Sequence, residues 1–256
     1  MLATINLIRR EFNAYFLSPI AYVVLSVFLA VTGCFFALIV SNLNTNGPHG
    51  IEFPLRFMLD NWIFWLVYLF IPPLLTMRLF AEELSTGTLE MLMTSPIRDW
   101  QVVLSKYAAC LAFYIVMWLP TFVFLPVICR AEVLDSSGNV VSLDPRPIWS
   151  SYLGLLLAGA MFLALGLLVS SLVRSQMVSA LLSLVLSLIF VATGMLPLED
   201  TGSPLYRVLY FLGVPLHFSR DFSRGIIDTR HLVLYVSVTL LCLFLTVRSL
   251  ESRRWR

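Results

Sequence analysis

Residues 61–77, NWIFWLVYLFIPPLLTM, hold no charged side chain, and the stretch that follows them, RLFAEELSTGTLEMLMTSPIRDWQVVLSKY (78–107), is dense in charge with glycine and proline breaks. A long apolar run that ends abruptly in charge marks a helix crossing lipid, because a bilayer core takes about 20 apolar residues. Working outward, the same pattern recurs, with apolar runs at 20–40, 61–80, 104–129, 148–173, 177–197 and 231–250. Residues 20–40, 107–129 and 175–198 carry no charge at all. The fold class expected is an all-α polytopic membrane protein with six transmembrane helices. Composition agrees: 59% of the 256 residues are hydrophobic and 12% charged, against about 45–50% and about 25% in soluble domains. Such a chain lacks the charged skin of a water-soluble globule, and its hydrophobicity excludes disorder. A net charge of +2 gives no footprint for nucleic acid.

The connectors differ in character. Residues 41–60 and 130–147 are polar loops, whereas only a tight turn around Arg174 separates the fourth and fifth runs, which predicts a helical hairpin. Residues 198–230 hold more aromatic and apolar side chains than a solvated loop needs, and read as a re-entrant or interfacial segment. Its Tyr206, Tyr210, Phe211, His217, Phe218, Phe222, Arg220 and Arg224 fit anchoring at lipid headgroups, or contact with an extracytoplasmic protein or a substrate. Pro72, Pro73, Pro120 and Pro126 remove backbone donors within the second and third runs.

At the N-terminus, Ile5, Ile8, Phe12, Tyr15 and Phe16 fall on one helical face, with Asn6, Arg10 and Asn13 opposite. This predicts an amphipathic interfacial helix over 1–19, ended by Ser18-Pro19. Arg9-Arg10 and the Val31-Thr32-Gly33-Cys34 stretch resemble a lipoprotein signal, but the apolar run continues past Cys34 as FFALIV and reads as a first span. An even number of spans puts both termini on one side. That side holds ten basic residues against seven on the other, so both termini are expected in the cytoplasm.

The chemistry is defined first by what is missing. The sequence has no phosphate-binding G-x-x-x-x-G-K-[ST], no H-E-x-x-H and no G-x-S-x-G. Cys34, Cys110, Cys129 and Cys242 form no C-x-x-C pair, and His49, His217 and His231 are scattered, so no metal site is expected. The chain is not expected to be an enzyme. Ion-coupled transporters carry titratable groups inside the membrane, and these spans are nearly bare of them. If the chain moves a substrate uphill, the energy is expected to enter from outside the bilayer.

The expected point of entry is the segment 81–103 between the second and third spans. Glu82 and Glu83 open it, Thr86-Gly87-Thr88 breaks the helix, and Leu89, Leu92 and Met93 share a face beside Glu90. Ser95-Pro96 then reads as the cap and first residue of a helix running through Lys106, the only lysine, into span three. A short helix with an apolar face and a carboxylate rim suits docking in a partner's groove.

The pattern Glu82-Glu83-x-x-x-Gly87-Thr88-Leu89-Glu90-x-Leu92-x-x-x-Pro96-Ile97, with Lys106 ten residues beyond the proline, resembles the coupling-helix signature of ABC-2 type permeases, the membrane subunits of ABC exporters. At Leu84-Ser85 the chain departs from members that carry Arg or Lys there. The stretches Leu17-Ser18-Pro19-Ile20-Ala21-Tyr22 and His217-Phe218-x-x-x-Phe222-x-Arg224-Gly225 are similar to the branch of gliding-motility-associated and nitrous-oxide-reductase-maturation permeases. The resemblance implies pairing with a second permease, identical or different. It also implies two separate ATPase subunits that hold ATP and Mg and dock on the coupling helices, leaving no cofactor in this chain. Glu82, Glu83, Gly87, Thr88, Leu89, Glu90, Leu92 and Pro96 would form the docking element. The function implied is ATP-driven export; the alternative is a membrane scaffold using the same coupling to act on an extracytoplasmic partner without moving a solute. Ser179, Ser183 and Ser187 in span five, and Gly154/Ala158, Ala160/Ala164 and Gly166/Ser170 in span four, have the spacing of close helix packing or of a path lining.

Overall fold

A computed structural model describes residues 2–46, 54–88, 98–124, 126, 133–134, 140–141, 146–194 and 211–254. Helix α1 (Leu2–Leu17) is separated by Ser18 from α2 (Pro19–Asn46); proline at the first position of α2 costs no hydrogen bond. A short α3 (Pro54–Leu59) leads into α4 (Trp62–Thr76), then α5 (Ala81–Thr86) and α6 (Asp99–Trp118), which tightens into a 3-10 turn at Leu119–Val123. A two-residue antiparallel pair, β1 (Val133–Leu134) with β2 (Val140–Val141), precedes α7 (Arg146–Leu172). Then come α8 (Gln176–Ala192), α9 (Val214–Arg220), a 3-10 turn at Phe222–Arg224 and α10 (Thr229–Arg254).

Among the described residues, five stretches are long and apolar enough to cross a membrane: Pro19–Asn42, Trp62–Thr86, Asp99–Val123, Arg146–Leu172 and Thr229–Ser252. The expected fifth span is the 17-residue α8, shorter than these, with residues 195–197 outside the described chain. Pro72 and Pro73 lie inside α4 without ending it, while Pro120 sits where α6 gives way to 3-10 geometry. The helix entering span three begins at Asp99, later than expected. Arg98 is extended (φ −79°, ψ 143°) and its N–H donates to Gln101 Oε1 at 3.1 Å, which makes it the cap.

Helix α7 is the hub, packed against α4, α6, α8 and α10. Around it the arrangement is inside-out relative to a soluble protein. On α8, Leu181, Val185 and Leu188 face outward, while Ser179, Ser183 and Ser187 are buried. On α10, Val233, Leu240 and Phe244 likewise point away from the bundle. Hydroxyls inside and apolar side chains outside suit a lipid surround, where helices associate by close packing rather than by hydrophobic exclusion.

Candidate functional site

The expected coupling segment is built from the helix ends inward. Phe80 and Ala81 open α5, so their N–H groups have no partner within that helix. Ser170 of α7 supplies one: its Oγ accepts from Phe80 N and from Ala81 N, each at 3.1 Å, and lies 3.4 Å from the Met77 carbonyl. Gly166, one turn earlier on α7, makes this approach possible, because a Cβ there would collide with Thr76 Oγ1. The start of α5 is thus anchored to the hub. At its other end Thr86 Oγ1 donates to Glu82 O at 2.9 Å, and Gly87 takes a left-handed conformation (φ 73°, ψ 3°) that closes the helix. Glu82, Thr86, Gly87 and Thr88 are exposed. Leu89, Glu90, Leu92 and Pro96 lie outside the described residues.

Glu83 turns inward. Its Oε1 is 2.7 Å from Lys106 Nζ, and Glu11 Oε2 of α1 is 3.4 Å from the same ammonium. The Lys106 side chain is only 3% exposed, and its ammonium lies 5.4 Å from the centroid of the Phe80 ring. Tyr15 holds α1 from the other side: its hydroxyl donates to Leu75 O at 3.0 Å and its ring stacks on Phe113 at 5.2 Å. Burial pushes the Tyr15 phenol well above its ordinary range, so it remains a donor. Between α1, the start of α2, α4 and α5 lies a cleft of about 520 Å³, with Ile20, Leu74 and Leu79 on its walls and Glu82 and Arg78 at its edge.

On α1, Ile8, Phe12 and Tyr15 are half-buried and Asn6, Arg10 and Asn13 exposed, as expected, while Leu7 and Glu11 also turn inward and Ile5 and Phe16 stay exposed. Neither Glu11 nor Ser170 was legible as part of this site. Ser170 reads in sequence only as the small partner of Gly166. The signal available was Lys106, a lone lysine at the head of a charge-free run.

At the opposite end of the bundle, part of the outer segment is drawn into the protein, while Phe211 and Arg220 are exposed and Tyr206 and Tyr210 lie outside the described residues. His217, Phe218 and Phe222 are buried, so they do not anchor at a lipid interface; Arg224 is exposed. Ser150 Oγ and Ser151 Oγ donate to the Phe222 carbonyl at 2.6 and 3.2 Å. A Cβ on Gly154 would come within 2.9 Å of the Phe218 ring. His217 Nδ1 lies 2.9 Å from Tyr235 Oη, His231 Nε2 lies 2.9 Å from Asp221 Oδ2, and the two imidazoles stack 3.7 Å apart. Among the described residues no group of three or more His, Cys, Asp and Glu is placed to hold a metal ion.

Ser170→Ala leaves two buried N–H groups without an acceptor, a cost of about 2 kcal/mol. The expected result is hydrogen exchange at the Phe80 and Ala81 amides accelerated by roughly 30-fold, with exchange in the middle of α7 unchanged. Equal protection in the variant and the parent would show that the anchor is not Ser170.

A sequence model of a family described as ABC-2 family transporter protein matches residues 55–247, from α3 through most of α10. No curated protein matches the chain.

Proposed function

The chain belongs to the ABC-2 family of transporter proteins, and on that premise we propose that ATP hydrolysis by a separate ATPase subunit drives it through the elbow at α5 and Gly87. Membership makes it a permease subunit of an ABC transporter, and its apolar helices make it an integral membrane protein. The observation that carries the coupling reading is the build of α5. One end is fixed to α7 by Ser170 and to α6 by Lys106; the other ends in an exposed left-handed glycine. A short rigid element rooted in two spans and open at its tip transmits a push from outside the bilayer into the bundle. Rigid-body rearrangement of packed helices is how such a push changes access.

In this reading the protein works as a pair of permeases with two ATPases, which hold the ATP and magnesium. Helix α8 is the fifth of six spans: at 1.5 Å per residue its 17 residues reach about 26 Å, close to the roughly 30 Å core. Both termini lie on the cytoplasmic side of the inner membrane, the side with more basic residues, and α5 faces the same side.

The test is purification of the tagged chain from its native membrane in lipid nanodiscs, with identification of bound proteins. The expected result is a copurifying ATPase whose hydrolysis rate is at least about tenfold higher with the permease than without it. A complex with no ATPase, or with one crosslinked only to the far end of the bundle, would overturn the reading.

A further inference from the structure

Glu11, Glu83 and Lys106 come from three different helices and meet at the wall of the cleft, with Lys106 3% exposed and the two carboxylates 12% and 21%. We propose that Lys106 is a positioning residue that ties α1 to α5, so that the N-terminal helix moves with the elbow as a second arm of the lever. This deepens the reading of α5 as the driven element and rests on it.

Lys106 is rooted in α6, about two turns from its start, and its ammonium reaches Glu83 of α5 at 2.7 Å and Glu11 of α1 at 3.4 Å. The ammonium has three donors and no acceptor, so two carboxylates can be held at once. Glu83 and Lys106 form the close pair of the set, and Glu11, whose other oxygen pairs with the exposed Arg10 at 2.9 Å, adds the link to α1. Truncating Lys106 removes the one cation that both carboxylates share in a low dielectric, so the link depends on its ammonium. The remaining ties of α1 lead elsewhere: Tyr15 bonds Leu75 of α4 and stacks on Phe113 of α6. These position α1 against the spans. The charge cluster connects it to the elbow.

The cleft shows why such a tie is needed. About 520 Å³ of space separates the α1–α2 corner, at Ala14, Ser18 and Ile20, from the α4–α5 corner, at Leu79, Glu82 and Thr86. Without a tie, a push on α5 would be absorbed by closing or widening this space. With Lys106 gripping both sides, the corners travel together and the displacement reaches α2 through Ser18. Arg78 and Glu82 are the other charged groups on the cleft, and both are exposed. They are solvated and do not share the burial of the Lys106 ammonium.

The experiment places spin labels at Ala14 and Thr86, which line the cleft on its two sides and are exposed, and measures their separation by pulsed dipolar spectroscopy. The copurified complex is read nucleotide-free and with ATP trapped; the permease alone is read as well. The expected wild-type result is one narrow distance, the same in all conditions. Lys106→Met broadens it, makes it nucleotide-dependent, and lowers permease-stimulated hydrolysis at least about tenfold. Glu11→Leu is the second variant. It leaves the Lys106–Glu83 pair neutral and so avoids stranding a buried charge, and it is expected to give the same broadening. A wild-type distance that changes with nucleotide, or a Glu11→Leu protein with a narrow distance and full stimulation, would overturn the tie. The permease-only distances decide it even where no ATPase copurifies, an outcome that counts against the coupling function alone.

Discussion

Gly159→Val is expected to destabilise the helix bundle by about 3 kcal/mol. The position of its Cβ is already filled by the ring and hydroxyl of Tyr114 from α6. Tyr114 is fully buried and part of a small polar clamp: Tyr68 of α4 donates its hydroxyl to Leu155 O at 2.9 Å, and Tyr114 Oη lies 3.1 Å from Tyr68 Oη and 3.0 Å from the same carbonyl. Overpacking a core costs about 1–3 kcal/mol. Displacing Tyr114 also breaks its hydrogen bonds, each worth about 1 kcal/mol or somewhat less in a membrane bundle. For a chain of this size the two effects lower a thermal midpoint by roughly 6–12 °C. Gly159→Ala combined with Tyr114→Leu should recover most of the loss, because the shorter side chain frees the space. The check is the unfolding midpoint of detergent-solubilised protein by tryptophan fluorescence. A midpoint within about 1 °C of the parent for Gly159→Val would show that Tyr114 has room to move aside.

Why Gly159 escaped a sequence reading is physical. Small residues four apart mark a helix face that approaches another, and Gly154, Gly166 and Ser170 are found that way. Gly159 is required by a single large side chain on a distant segment, and no spacing within α7 encodes that. The same holds for α1. Its apolar periodicity favours a face containing Ile5, yet Ile5 stays exposed while Leu7 and Glu11 turn inward. Glu11 joins the inward face because Lys106 offers its carboxylate a buried partner, which apolar periodicity does not encode. Spans were legible because lipid demands long apolar runs, and the turn at Gly87 because few residues tolerate its geometry. In the outer segment the aromatics were visible as a group, but composition alone does not say whether Phe218 and Phe222 face lipid or protein. The hydroxyls of Ser150 and Ser151, donating to the Phe222 carbonyl, hold this part of the segment against α7 with both rings inward.

Gly87→Val separates backbone geometry from packing at the elbow. Among the described residues nothing lies within 4 Å of a Cβ built there, so the effect expected from them comes from φ 73° alone. The left-handed region costs an ordinary L-residue about 1–2 kcal/mol and a β-branched one more. The turn is exposed and has little packing to hold it, so that cost is enough to send the chain into right-handed geometry. Helix α5 then continues past Thr86, and everything beyond Thr88 is re-aimed. The expected result is permease-stimulated ATP hydrolysis reduced at least about tenfold, with the thermal midpoint of the spans unchanged and the ATPase still bound or only weakened. Gly87→Asn is the discriminating partner, since asparagine visits the left-handed region readily; it should retain stimulation within about threefold. Gly33→Val in α2, where a Cβ also meets nothing within 4 Å but φ is not positive, should be silent. Full stimulation in Gly87→Val would remove the elbow from the coupling path. Equal loss in the valine and asparagine variants would assign the effect to any side chain at this surface, as expected if the ATPase packs directly on the glycine. Retention in asparagine alone means that the ATPase reads the direction in which the chain leaves α5, and that direction is set by one dihedral angle.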